Sequence, residues 1–151
     1  MRKEICRVAL ALALLGGHSA SANAQVAESG AVTIRAEDAK FVPLDPARPE
    51  LAQIAVLRGD PNTGPSSMLM RFGRMAGVLH YHTADYELVV LQGRMKHTLE
   101  GEDERTAPEL GPGSYWHQPK MQPHADTCLS DVCLMYITWS GKRDAVRAPA
   151  R

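Results

Sequence analysis

After residue 51 the chain is built of brief apolar-rich stretches, none longer than seven residues, each cut off by glycine, proline or a group of turn-forming side chains. AQIAVLR (52–58), SMLMRF (67–72), GVLHYHT (77–83), YELVVLQ (86–92), RMKHTLE (94–100), SYWHQ (114–118), HADTCL (124–129) and CLMYITW (133–139) read as strands. GDPNTGP, FGRMAG, QG, EGEDERTAPELGPG, PKMQP and SD read as the turns around them. A helix needs an apolar stripe sustained over about ten residues, and nothing in this region supplies one. Many short strands bury their apolar faces only by rolling into a closed sheet, so the pattern predicts an all-β fold, a single jelly-roll (double-stranded β-helix) barrel. Upstream, AVTIRA (31–36) offers one further strand. FVPLDPARPE follows, where Pro43, Pro46 and Pro49 deny a regular ladder and predict an arm wrapped over the barrel. The expected organisation is 1–24 targeting segment, 25–39 extension, 40–144 barrel and 145–151 tail, one domain with no internal repeat.

The first 24 residues, MRKEICRVALALALLGGHSASANA, have the layout of a secretory signal peptide: Arg2 and Lys3, an apolar stretch from Val8 to Leu15, then Ala22, Asn23 and Ala24 as a small-residue cleavage site. The mature chain is expected to begin at Gln25, in the periplasm or beyond the cell, and the apolar stretch is too short to span a bilayer. Of 17 basic and 17 acidic side chains, Arg2, Lys3, Arg7 and Glu4 would leave with the signal, giving 14 and 16 and a net charge near −2. No basic stripe remains for nucleic acid or an anionic membrane, and no membrane span is expected. Two cysteines stay, Cys128 and Cys133, separated by LSDV; in an oxidising compartment they predict a disulfide across a tight turn, the rival reading being a thiolate metal pair.

Chemistry concentrates in histidine. His80 and His82 stand at i and i+2, which on a strand aims both imidazoles to one face. HxH alone arises in about a quarter of shuffled chains of this composition, so it is weak by itself. GSYWHQPKMQPH adds Gly113, Pro119 and His124 at a spacing that chance gives in about three chains in a hundred. Glu87 lies an odd step from His82, so a bend through Thr83, Ala84 and Asp85 would have to return it to the same interior. His80, His82, Glu87 and His124 then form the expected metal site. Imidazoles with one carboxylate suit zinc, iron, manganese, nickel or copper rather than calcium, and leave coordination positions for water or substrate.

HYHTADYELVVLQG and residues 113 to 128 resemble the two sequence motifs of the cupin superfamily. The first fits with four residues between His82 and Glu87 and with Gly93 one residue early. The second fits except that Met121 replaces an inner glycine and Cys128 an asparagine. LRGDPNTGP and LGPGSYWHQPKMQPHADTC carry a narrower likeness to small single-domain cupins, including periplasmic ones and the cupin domain of zinc-binding anti-sigma factors, over roughly residues 40 to 144. The resemblance implies a cupin barrel with one divalent transition metal and a small-molecule ligand or substrate. It also implies a metal-dependent oxygenase or isomerase, or alternatively a non-catalytic ligand-binding or sensing module. Dimers are common among similar cupins, so a homodimer is within what it implies.

Other residues have weaker assignments. Met95, His97 and Leu99 share a face, and His97 is either a second-layer or substrate contact or an exposed strand histidine; His117 has no face that the register fixes. Tyr86, Tyr115 and Trp116 read as packing residues. Met68, Met70 and Phe72 read as barrel core ahead of a soft copper site, and Val89 and Leu91 as the apolar wall that excludes water from the metal. No nucleophile elbow or phosphate-cradling glycine loop is present.

Overall fold

Alternation decides which elements form. In Cys133–Trp139 every second side chain is buried (Cys133, Met135, Ile137, Trp139) while Tyr136 between them is exposed, and Tyr86–Gln92 repeats the pattern with Tyr86, Leu88 and Val90 inside. Such period-two segments have one face that needs covering and one that tolerates water.

The computed structural model describes residues 30–149. Its strands are β1 (Val42–Pro43), β2 (Gln53–Gly59), β3 (Ser66–Phe72), β4 (His80–Tyr81), β5 (Tyr86–Gln92), β6 (Met95–Leu99), β7 (Tyr115–Gln118), β8 (His124–Cys128), β9 (Cys133–Trp139) and β10 (Val146–Arg147). They form two antiparallel sheets facing each other, a six-stranded one in the order β1-β2-β3-β9-β5-β7 and a four-stranded one in the order β10-β4-β8-β6. This is the jelly roll that the strand pattern predicts. Among the described residues there is no α-helix, only a short 3₁₀ turn at Ala36–Asp38, and no helix is long and apolar enough to cross a membrane. The expected signal segment and its cleavage before Gln25 lie outside the described residues.

Three local expectations change. AVTIRA is not a strand: Val32 and Ile34 are exposed, and the stretch pairs with no sheet edge before it turns into Ala36–Asp38. The proline-rich arm contributes a two-residue edge strand, β1, pairing Pro43 with Gln53, which an edge permits because proline lacks only the donor facing away. At the far end, residues beyond 144 supply β10, which pairs with β4 through Val146 and Tyr81 and through Arg147 and His80.

The core between the sheets gathers Ile54, Met68, Leu88, Val90, Met95, Trp116, Met135, Ile137 and Trp139. Burying each of these side chains contributes about 1.5–3 kcal/mol. Two turns are tightly specified. Gly93 has φ 84°, and a side chain there would meet Val132 O at 2.4 Å, so only glycine fits between β5 and β6. Met121 has φ 62°, the one non-glycine residue with positive φ among those described, and it stands where the cupin motif carries glycine. The turn is thus made in the left-handed conformation without the residue best suited to it, and its N–H donates to His82 O at 2.8 Å. Cys128 and Cys133 are bonded (S–S 2.02 Å, Cα–Cα 6.0 Å), pinning the corner at which the chain leaves the four-stranded sheet for the six-stranded one.

Candidate metal centre

β4 carries His80, β8 carries His124, and the two stand directly opposite each other in the ladder. His82 follows β4 by one residue. Together the three place one ligand nitrogen each within 4.8 Å of the others, with His82 and His124 buried. Each Nδ1 faces a backbone carbonyl: His80 that of Val78 at 2.7 Å, His124 that of Gln122 at 3.1 Å, and His82 that of Asp144 in a short contact. A carbonyl oxygen only accepts, so each Nδ1 carries the hydrogen and each Nε2 presents its lone pair. Three imidazoles are thereby held in the tautomer that binds a metal through Nε2, with the orienting bonds that such ligands require. Burial, the largest cause, lowers the pKa of His82 to about 4, and burial likewise moves His124 below its ordinary value. Neutral rings at neutral pH compete for a cation without first losing a proton.

Glu87 does not join them. It is exposed, on the outer face of β5 opposite His117 and Thr138, where it meets Tyr115. The bend expected at Thr83–Asp85 does not shift the parity of β5, so side chains an even step from His82 point in and Glu87, at five, points out. The same parity corrects the apolar wall: Leu88 and Val90 are buried, while Leu91 is 45 % exposed and Val89 only half-buried. Tyr115 is 57 % exposed and meets Glu87 rather than the core, and His117 lies exposed on the outer face.

Tyr86 stands where the carboxylate was expected to be. Its hydroxyl accepts from Trp116 Nε1 at 3.2 Å and lies 3.1 Å from His124 Nε2 and 3.4 Å from Asp126 Oδ2, with one proton to give to either. Burial, reinforced by the charge of Asp126, raises its pKa well above the ordinary range and keeps it a phenol. Asp126, two residues after His124 on the same face of β8, receives a hydrogen bond from His97 Nδ1 at 2.7 Å. Burial pushes the Asp126 carboxyl up, but the His97 hydrogen bond and the surrounding imidazoles outweigh it and hold the group below its usual value. His97 faces inward beside Met95 and stacks on Trp116 at 4.8 Å, so of its two readings the inner one applies. Tyr86 and Asp126 are the residues that sequence reasoning missed. The even steps His82 to Tyr86 and His124 to Asp126 are the signals that find them.

His80, His82, Tyr86 and Asp126 line one side of a cavity of about 340 Å³, while His124 is fully buried. Its other walls include Met70, Phe72, Leu88, Met135, Ile137 and Trp139 from the six-stranded sheet, and Arg143 and Arg147 near the C-terminus. Met68 is fully buried in the core, as expected, and Met70 and Phe72 pack against that core while forming cavity wall. Three imidazole Nε2 donors beside a phenol and a carboxylate fit a divalent transition ion, and fit calcium poorly, because hard cations take oxygen cages.

A model of the family described as "Domain of unknown function (DUF4437)" matches residues 32–142. No curated protein matches the chain in sequence. Solved structures share the fold. KdgF from Halomonas sp. is 22 % identical with a TM-score of 0.55, the alignment covering 73 % of this chain and 94 % of that one. An RmlC-like cupin from Shewanella frigidimarina is 15 % identical with a TM-score of 0.59, covering 77 % and 95 %. The polyketide cyclase RemF from Streptomyces resistomycificus is 18 % identical with a TM-score of 0.61, covering 81 % and 88 %.

Proposed function

Since this chain belongs to the family described as Domain of unknown function (DUF4437) and has the cupin fold, we propose that it is a metal-dependent enzyme that moves a proton on a small oxygenated organic molecule, an isomerase-type reaction. The observation that carries this reading is the pair formed by buried Tyr86 and half-buried Asp126, a proton donor and a proton acceptor 3.4 Å apart, beside His124 Nε2. A divalent ion held by His80, His82 and His124 would supply Lewis-acid polarisation of a carbonyl or enolate oxygen.

The chain's own residues do the rest. Asp126, anionic and oriented by His97, takes a proton from the carbon beside the carbonyl. Tyr86 gives its phenolic proton to the position where the isomer needs one. The proton on Asp126 then returns to Tyr86 across their contact, so one proton enters and one leaves and both groups are restored. Leu88, Met135 and Ile137 keep water from the site, which sharpens each electrostatic interaction within it.

The test is deuterium uptake from D2O, above the protein-free rate, at the carbon beside the carbonyl of small ketones and diketones, with zinc- or manganese-loaded protein. Asp126→Asn is expected to lower that uptake about a hundredfold or more, while bound metal per chain stays at the wild-type value. A metal-loaded protein that binds such compounds and exchanges nothing would instead be the ligand-binding or sensing module. The reading includes export, supported by the bonded Cys128–Cys133 pair, since such bonds persist in oxidising compartments. Mass measurement of the protein from its own compartment is expected to give a chain starting at Gln25.

A further inference from the structure

Two of the three candidate ligands are oriented by their own strands. The carbonyl that accepts from His80 Nδ1 belongs to Val78 and the one that accepts from His124 Nδ1 to Gln122, in each case two residues earlier in the chain. His82 differs, because its acceptor is Asp144 O, 62 positions later. Local strand geometry cannot keep so distant a carbonyl on the ring, and something else has to hold it. The Asp144 side chain is placed to do so. Its Oδ1 accepts from Thr83 N at 2.9 Å and its Oδ2 from Thr83 Oγ1 at 2.5 Å. One residue thus grips the His82–Thr83 step at three points, with its carbonyl on the ring and both carboxylate oxygens on the residue that follows. A charged acceptor makes such bonds stronger than neutral ones. The rest of the segment is tied down beside it: Arg143 N donates to Pro61 O at 2.8 Å, Val146 and Arg147 pair with Tyr81 and His80, and Ala148 N donates to Leu79 O at 3.1 Å. The ladder ends at Tyr81, and the Asp144 contacts carry the pairing on through His82 and Thr83.

We infer that Asp144 is a positioning residue of the metal centre: its carboxylate, by gripping Thr83, holds its own carbonyl on His82 Nδ1 and so fixes the ring in the tautomer that offers Nε2 to the ion. A neutral imidazole without that acceptor shares its proton between the two nitrogens, and the form that carries it on Nε2 cannot ligate there. Asp144 does not line the cavity, so it acts through His82 and not on a substrate. Thr83 is exposed, so its side chain serves this grip without filling the core. The inference rests on the reading of His80, His82 and His124 as a metal centre, and it names the residue that completes it.

Two measurements test it: zinc affinity by competition with a chromophoric chelator, and nitrogen NMR of the imidazoles in metal-free protein above the range in which they titrate. Asp144→Ala keeps the backbone carbonyl and removes only its anchor. It is expected to weaken zinc binding about ten- to hundredfold, the loss typical of an orienting partner. In the metal-free protein it should move His82 alone toward the Nε2–H form, with His80 and His124 unchanged. Asp144→Asn, whose amide oxygen still accepts, should lose less. Thr83→Ser should bind zinc within about twofold of wild type, while Thr83→Val, which lacks the hydroxyl, should bind it about threefold or more weakly. Should the alanine variant fail to fold, the two Thr83 variants decide. Unchanged zinc affinity in Asp144→Ala overturns the inference, as does equal affinity in Thr83→Ser and Thr83→Val. A zinc loss with the His82 tautomer unchanged also overturns it, and so does a tautomer change shared by all three rings, the mark of general loosening. Zinc binding to wild type reports separately on the metal centre: if zinc fails to bind, that reading falls, while the His82 tautomer of the metal-free protein still decides on Asp144.

Discussion

The two sheets face the same cavity with opposite chemistry. The six-stranded sheet presents Met70, Leu88, Met135, Ile137 and Trp139 together with Tyr86, and the four-stranded sheet with its flanking turns presents His80, His82 and Asp126, supported by the fully buried His124 and by His97. Each wall does what the other cannot. Apolar side chains on broad, continuous strands pack by area and supply most of the cohesion. Polar side chains on short strands need individual hydrogen-bond partners, and nearly all of them have one. Solvent exclusion thus falls mainly to the six-stranded sheet and the titratable groups mainly to the four-stranded one, with the Tyr86 hydroxyl of β5 reaching across to His124 and Asp126, and substitutions on the two walls should fail in different ways.

The largest effect is expected on the polar wall. His124→Ala should weaken zinc binding about a thousandfold, well beyond the loss typical of an outer partner, whereas Glu87→Gln on the outer face should leave it within about twofold. Competition with a chromophoric chelator measures both, and equal losses would break the assignment of inside and outside on β5. The apolar wall should respond in stability alone: Met135→Ala should cost about 3 kcal/mol in chemical denaturation with the metal affinity kept. The polar wall should also make the metal-free protein sensitive to acid. His82 titrates at about 4 in the folded chain against the ordinary 6.5, so between those values the unfolded chain binds the extra proton. Stability is then full above pH 6.5 and falls as the pH drops toward 4, by about 3 kcal/mol at most from this ring. Urea midpoints at stepped pH follow it, and a flat profile would mean that the imidazole is already solvated. The smallest effect belongs to a turn behind the site: Met121→Gly should stabilise the protein by about 1 kcal/mol, raising Tm by about 3 °C, because glycine adopts the left-handed conformation freely and the methionine side chain is exposed.

The same contrast explains what the sequence disclosed. The strands of the six-stranded sheet announce themselves by alternation: 86–92 and 133–139 are strands over the whole of their predicted lengths. The histidines are legible because HxH and the distant His124 fall into recurring spacings. Glu87 misled because a motif was allowed to override parity; counting in twos from His82 reaches Tyr86, and in twos from His124 reaches Asp126. GVLHYHT shrinks to His80–Tyr81 because its flanks pair one residue at a time, as Met75 does with Cys128, with Gly77 N donating to the Thr127 hydroxyl. Arg143 and Asp144 carried no local signal. Asp144 matters through contact with His82 and Thr83, some sixty positions earlier, and no short window contains both ends.

That long-range contact also sets an order of events. The strand bearing His80 is only two residues long and is flanked on one side by Val146–Arg147, and the carbonyl that orients His82 belongs to Asp144. A chain emerging N-terminus first, whether from a ribosome or through a translocation pore, exposes His80 and His82 well before the segment that locks them. The orientation of His82 is therefore complete only once Asp144 is in place, and a copy truncated before Asp144 would present the same three imidazoles without the carbonyl that fixes one of them.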